Sequence, residues 1–157
     1  MLRRAYAMNN ERTSTGSEER YKLAEELRQQ DPSDITLQHD FGNALYGYAD
    51  ILLNVKDPAL RDWARALAIS REAVDRTARK DARVLALYAQ ALRLNNDLSD
   101  AYSAAFEASK LLPPEEQRTY EDRQTAKEVD YEMKMSKHGK TDSSKPATPK
   151  RPKPRKR

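Results

Sequence analysis

The stretch from Ala82 to Pro113 reads ARVLALYAQALRLNNDLSDAYSAAFEASKLLP and predicts two short helices joined by a polar turn. Apolar and small residues recur in steps of three and four on both sides of the turn, which places each set on one helix face. The Asn-Asn-Asp run at 95–97 interrupts the pattern, because these side chains hydrogen-bond to nearby backbone and favour turns. The stretch therefore predicts an antiparallel helical hairpin, and its second helix carries a stripe of small residues at Ala101, Ala105 and Ala108.

This hairpin resembles a tetratricopeptide repeat, a unit of about 34 residues built from two helices. With Pro113 as the closing proline, Ala89 takes the small position of the first helix. Asp97 falls in the turn, and Ala101 and Ala108 take the two alanine positions of the second helix. The resemblance implies an all-α solenoid of antiparallel helix hairpins.

A second copy of the pattern follows Asp31-Pro32, where Phe41-Gly42-Asn43-Ala44 resembles the core of a repeat's first helix. This copy is longer than the family's period by about a dozen residues. The central hairpin also departs from the family, since Leu85 replaces the usual tryptophan and Ala105 an aromatic residue. In its stretched form the chain resembles the long-helix repeats that follow some bacterial serine/threonine kinase domains.

Composition divides the chain into three parts. Residues 1–16 are a polar leader, residues 17–136 carry the helical patterns as a tetratricopeptide-like domain, and residues 137–157 form a tail rich in Lys, Arg and Pro. The tail has too little apolar surface to offset the entropy of ordering, so we expect it to be disordered. Caps and prolines divide the middle part into about six helices, the first starting at Ser17 and the last at Pro114. A long helix between them is expected from Leu60 to about Arg79.

The residue inventory argues against an enzyme. The chain has no cysteine, and its two histidines, His39 and His138, lack the spacing of zinc ligands. Its four glycines are too scattered to form a phosphate-binding loop, and the kinase signatures are missing. With a mean hydropathy of −1.00, the chain has no run near the roughly 20 apolar residues of a spanning helix. We therefore expect no catalytic activity, no metal, no cofactor and no membrane partner.

The net charge of +4 is the sum of a negatively charged part, residues 1–135, and a strongly basic C-terminal part. The residues from Ser136 onward carry nine bases and one acid, which leaves residues 1–135 with 20 bases against 24 acids. Six of the eight residues 150–157 are Lys or Arg and could bind nucleic-acid phosphates. Such binding would have no sequence preference, because this segment has no aromatic residue to stack on nucleobases. They also resemble a nuclear localisation signal. These bases are Lys150, Arg151, Lys153, Arg155, Lys156 and Arg157.

The resemblance also implies a binding groove. In tetratricopeptide arrays the first helices of successive repeats line a concave surface that holds a peptide. Asn43 and Gln90 would then bond to the peptide backbone, while Arg83 and Arg93 would receive an acidic group. The residues implied to face this groove are Thr36, His39, Asn43, Tyr46, Arg83, Ala86, Gln90 and Arg93.

We therefore expect a non-catalytic protein-interaction module that binds another protein or a peptide, with the basic tail adding electrostatic contacts. Such a protein would be cytoplasmic, or nuclear in a eukaryote. One alternative is an accessory protein that holds RNA or DNA through its tail, and another is a detached regulatory part of a signalling kinase. About two and a half repeats lie close to the minimum of about three that bury a continuous core. A homodimer, or a structural spacer without a groove ligand, therefore stays an open alternative.

Overall fold

The computed structural model of the protein describes residues 14–142, and residues 1–13 and 143–157 lie outside the described part. Within this range it contains six α-helices and no strand, which confirms the predicted all-α fold. The helices are α1 (Ser14–Gln30), α2 (Ile35–Asn54), α3 (Trp63–Arg76), α4 (Ala82–Leu94), α5 (Leu98–Leu111) and α6 (Tyr120–Asp142).

The helices stack as a run of hairpins. Each helix packs against the next one along the chain, and the short connections between them return the chain in the opposite direction. Alternate helices also touch, since α4 contacts both α2 and α6. Helices α2, α4 and α6 therefore form one layer, with α3 and α5 packed behind the gaps between them.

The central hairpin forms as its sequence predicts. The Asp81 carboxylate accepts a hydrogen bond from the backbone N–H of Arg83 at 2.9 Å, which caps the start of α4. Asn96 adopts a left-handed conformation with φ 65°, and the N–H of Asp97 bonds back to the carbonyl of Leu92 at 2.9 Å. Because Asn tolerates this conformation better than most residues, it ends α4 and lets Asp97 cap α5.

The core lies between the two layers and combines a few large side chains with many alanines. The fully buried large apolar residues come from α2, α3, α4 and α6, and the alanines of α4 and α5 let these helices approach closely. The large residues are Phe41, Leu45, Tyr48, Val74, Leu85, Leu92 and Val129. The fully buried alanines include Ala89, Ala101, Ala105 and Ala108, so the predicted stripe is at the helix contact.

Several helix ends differ from the predicted ones. Helix α1 already includes Ser14, three residues before the predicted cap at Ser17. Pro58 starts only a short 3-10 turn, so α3 begins later, at Trp63, with Asp62 as its cap. Leu60, expected on the buried face of a long helix, is consequently half exposed.

The last helix also starts later and ends later than predicted. The residues after Pro114 form a 3-10 turn, and α6 begins at Tyr120. Thr119 and Asp122 fix this start, because each side chain accepts a hydrogen bond from the backbone N–H of the other. Helix α6 then runs to Asp142, beyond the predicted boundary at 136.

The two glycines of α2, Gly42 and Gly47, do not mark close helix contacts. A β-carbon added at Gly42 would meet the nearest atom, Thr77 Cγ2, at 3.9 Å, which is an ordinary van der Waals contact. At Gly47 nothing lies within 4 Å of such a carbon. Neither glycine is therefore required by packing at its position.

Candidate interaction groove

Helices α2, α4 and α6 together line an open groove of about 430 Å³ on their shared layer. Side chains from all three helices face it, and α5 contributes none. We call this the interaction groove, and its lining residues are Tyr46, Asp50, Asn54, Ala86, Leu87, Gln90, Arg93, Lys127, Glu128, Tyr131 and Glu132.

The structure brings only some of the expected groove residues together. Tyr46, Gln90 and Arg93 line the interaction groove, as does Ala86. Asn43 instead lines a separate cavity of about 330 Å³, next to Gly42 and the end of α3.

The remaining expected residues cannot be placed in the groove. His39 lies on α2, and its side chain is outside the described part of the chain. Thr36 is exposed near the start of α2 and does not line the groove. The tail bases Lys150, Arg151, Lys153, Arg155, Lys156 and Arg157 lie outside the described residues.

Arg93 is paired across the groove with Glu132 of α6. Its Nε donates to Glu132 Oε2 at 2.6 Å, and its Nη2 donates to Oε1 at 3.0 Å. The pair is largely buried, with side-chain exposures of 18% for Arg93 and 5% for Glu132. The guanidinium also lies over the ring of Tyr131, 5.4 Å from its centroid. A two-point pair of this kind fixes both side chains and ties α4 to α6.

Arg83 is engaged as well, at the other end of α4. Its Nη2 donates to Asp81 Oδ2 at 3.0 Å, and its guanidinium lies 5.7 Å from the centroid of the Tyr46 ring. Arg83 therefore borders Tyr46 without lining the groove. Each of these positive charges already has a carboxylate partner in the chain, and the expectation that Arg83 and Arg93 receive an acidic group stays a prediction.

An amide pair joins α2 to α4 along the groove floor. Gln90 Nε2 donates to Asn54 Oδ1 at 2.8 Å, and Asn54 Nδ2 donates to Asp50 Oδ1 at 2.8 Å. The Gln90 amide, expected to bond to a peptide backbone, thus already has one protein partner. These bonds hold the Asp50 carboxylate in the groove wall.

Asp50 and Glu128 leave the groove with an excess of negative charge. Among the described residues neither carboxylate forms an ion pair, whereas Glu132 is neutralised by Arg93. Burial raises the pKa of Glu128, and the charges of Asp50 and Glu132 raise it further. Burial, together with Asp50 and Glu128, also raises the pKa of Tyr46 to about 12. The acids therefore interact across the groove, and the lining as a whole carries three acids, Asp50, Glu128 and Glu132, against two bases, Arg93 and Lys127.

The raised pKa of Glu128 predicts a pH-dependent stability difference. A carboxyl whose pKa is raised by folding destabilises the folded state once both states are ionised, and this effect vanishes below the unfolded pKa of about 4.3. We therefore expect Glu128→Gln to raise Tm at pH 7, with the gain shrinking as the pH falls through the raised pKa of Glu128 and gone below about 4.

Thermal unfolding followed by circular dichroism at several pH values checks this expectation. Asp130→Asn is the matched control, because Asp130 is an exposed acid of the same helix outside the groove. If Glu128→Gln gave the same change in Tm at every pH, the pKa of Glu128 would not be raised in the folded protein.

The groove residues missed by the sequence reasoning fall into two groups. Asp50 and Asn54 follow Tyr46 at steps of four on α2, so continuing the predicted face by two turns would have found them. Glu128 and Glu132 are also four apart, but α6 has no hydrophobic face strong enough to show which side points inward. Only the packing of α6 against α4 reveals that role.

No protein-family model matches the chain, and no curated protein or solved structure matches it either. Within residues 14–142, no group of three or more His, Cys, Asp or Glu side chains is placed to hold a metal ion. None of the helices in that range is both long enough and apolar enough to cross a membrane.

Proposed function

We propose that the protein is a non-catalytic interaction module that binds a segment of another protein in the interaction groove. The observation that supports this most strongly is the groove itself, which three alternate helices of one stack line together. Stacked helix hairpins commonly present such a surface, since alternate helices lie side by side along it.

The chemistry of the groove suits an extended or helical polypeptide. Ala86 and Leu87 provide a small apolar floor, and Tyr131, 52% exposed, offers an aromatic face at the edge. Gln90 and Asn54 add amides that can exchange their mutual hydrogen bond for bonds to a peptide backbone. An aromatic residue in this setting typically contributes a large share of binding energy.

Affinity capture with the full chain and two matched variants tests the proposal. Tyr131→Ser removes an exposed aromatic residue from the groove, and Phe106→Ser removes one of similar exposure, 44%, from α5 outside it. We expect partners captured by the unmodified protein to be lost with Tyr131→Ser and kept with Phe106→Ser. The reverse pattern would show that binding uses another face.

The same experiment separates the nucleic-acid alternative. If RNA or DNA held by the tail were responsible, capture would survive Tyr131→Ser, fall steeply with salt and disappear after nuclease treatment. Described residues 14–142 carry 19 bases against 24 acids, so this part of the chain offers no general positive surface to nucleic acid.

A further inference from the structure

The interaction groove and the undescribed end of the chain carry opposite charges. The groove lining holds three acids, Asp50, Glu128 and Glu132, against two bases, Arg93 and Lys127, and among the described residues neither Asp50 nor Glu128 forms an ion pair. Residues 143–157 carry seven bases and no acid. Asp50 lies in the wall of the groove that α2 provides, and Glu128 in the wall that α6 provides.

The basic residues are also at the right distance along the chain. Glu128 lies fourteen residues before Asp142, the end of α6, which corresponds to about 21 Å at about 1.5 Å per residue. An extended chain covers that distance in about seven residues at about 3.3 Å each. A chain that turns back at Asp142 can therefore bring Lys150 and the bases after it over the groove.

We propose that the interaction groove binds the chain's own basic segment, residues 150–157, through ion pairs of its Lys and Arg side chains with Asp50 and Glu128. This inference rests on the proposed function, since it takes the groove to be a binding surface. The segment would act as an intrachain competitor, so that a partner must displace it.

Each ion pair between the basic segment and the groove is weak, but the binding is strengthened because both partners belong to one chain. Exposed ion pairs contribute little singly, and salt screens them. A tethered segment, however, acts at an effective concentration on the order of millimolar for a short flexible connection. We therefore expect the basic segment to occupy the interaction groove at low ionic strength and to leave it at high ionic strength.

A spin label on the basic segment tests the proposal in the full chain. The protein has no cysteine, so Pro152→Cys provides a unique site for a nitroxide. At low salt we expect the label to weaken the ¹⁵N amide signals of Tyr46, Gln90 and Tyr131. Signals around Phe106, on α5 outside the groove, should keep their intensity. Salt near 1 M, where the Debye length is about 3 Å, should restore the groove signals.

Paired charge variants identify the groups responsible. Combining Asp50→Asn with Glu128→Gln removes the two unpaired groove acids with little change in shape, and should abolish the loss of signal. Combining Asp75→Asn with Asp130→Asn removes two exposed acids outside the groove, and should leave the loss unchanged. The two double variants change the net charge by the same amount. A difference in signal loss between them therefore cannot come from overall charge.

Three results would overturn the inference. The first is intact groove signals at low salt, and the second is a loss that persists in the Asp50→Asn, Glu128→Gln protein. The third is an equal loss of signal when spin-labelled chains without ¹⁵N are mixed with ¹⁵N-labelled chains that carry no spin label. The basic segment would then bind a second copy of the chain. None of these results affects the capture comparison of Tyr131→Ser with Phe106→Ser, so this inference can fail while the proposed function stands.

Discussion

Phe41→Ala is expected to lower the free energy of unfolding by about 3–5 kcal/mol, the usual cost of removing a buried phenylalanine. Phe41 of α2 is fully buried, and its ring lies 5.8 Å from that of Tyr21 on α1. Tyr21 also contacts Tyr48, at 5.6 Å between ring centroids. Removing Phe41 therefore leaves a cavity and weakens the attachment of α1. A loss of this size is a large fraction of the 5–15 kcal/mol typical of a domain.

The chain supplies its own control for this experiment. Its second phenylalanine, Phe106, is 44% exposed on α5, where its ring stacks on Tyr102 and has Lys110 Nζ 4.3 Å from its centroid. We expect Phe106→Ala to change the free energy of unfolding by about 0.5 kcal/mol or less, as exposed substitutions usually do. Urea unfolding followed by circular dichroism measures both variants. Equal losses would contradict the placement of the core.

Glu132→Ala is expected to cost about 3 kcal/mol, because it leaves the Arg93 guanidinium largely buried without its carboxylate. The estimate lies at the lower end of the usual 3–5 kcal/mol, since Arg93 borders an open groove that water can enter. Glu128→Ala, one turn earlier on α6, should not destabilise the protein, because Glu128 has no cation to lose.

The double variant Arg93→Met, Glu132→Leu separates burial of charge from packing. Replacing both members of a buried pair with apolar side chains is often neutral or stabilising. We therefore expect it to be more stable than Glu132→Ala alone in the same urea experiment. If Glu132→Ala and the double variant were equally unstable, the loss would come from packing and the ion pair would contribute nothing.

Much of the fold could be predicted because it depends on local signals. The hairpin of α4 and α5 follows from apolar spacing, the Asp81 and Asp97 caps and the turn at Asn96. The weakly patterned α6 was predicted less well, since its buried residues include Thr125, Glu132 and Ser136, polar residues that hydropathy assigns to the surface. Tyr131 of the same helix, an aromatic residue, is half exposed.

The groove was harder to predict because its chemistry depends on pairs distant in sequence. Arg93 and Glu132 are 39 residues apart, and nothing in either helix alone shows that the two charges cancel. The same holds for Gln90 and Asn54, 36 residues apart. The sequence therefore indicated which face of α4 points into the groove, but not that Arg93 is already paired with a carboxylate of α6.

Amide chemical-shift mapping with a captured partner tests the central claim most directly. The ¹⁵N-labelled full chain is titrated with that partner, and the amides whose signals move are located on the structure. The account predicts shifts clustered around Tyr46, Gln90 and Tyr131, on α2, α4 and α6. Shifts clustered around Tyr102 and Phe106 on α5, with the groove signals unmoved, would contradict it.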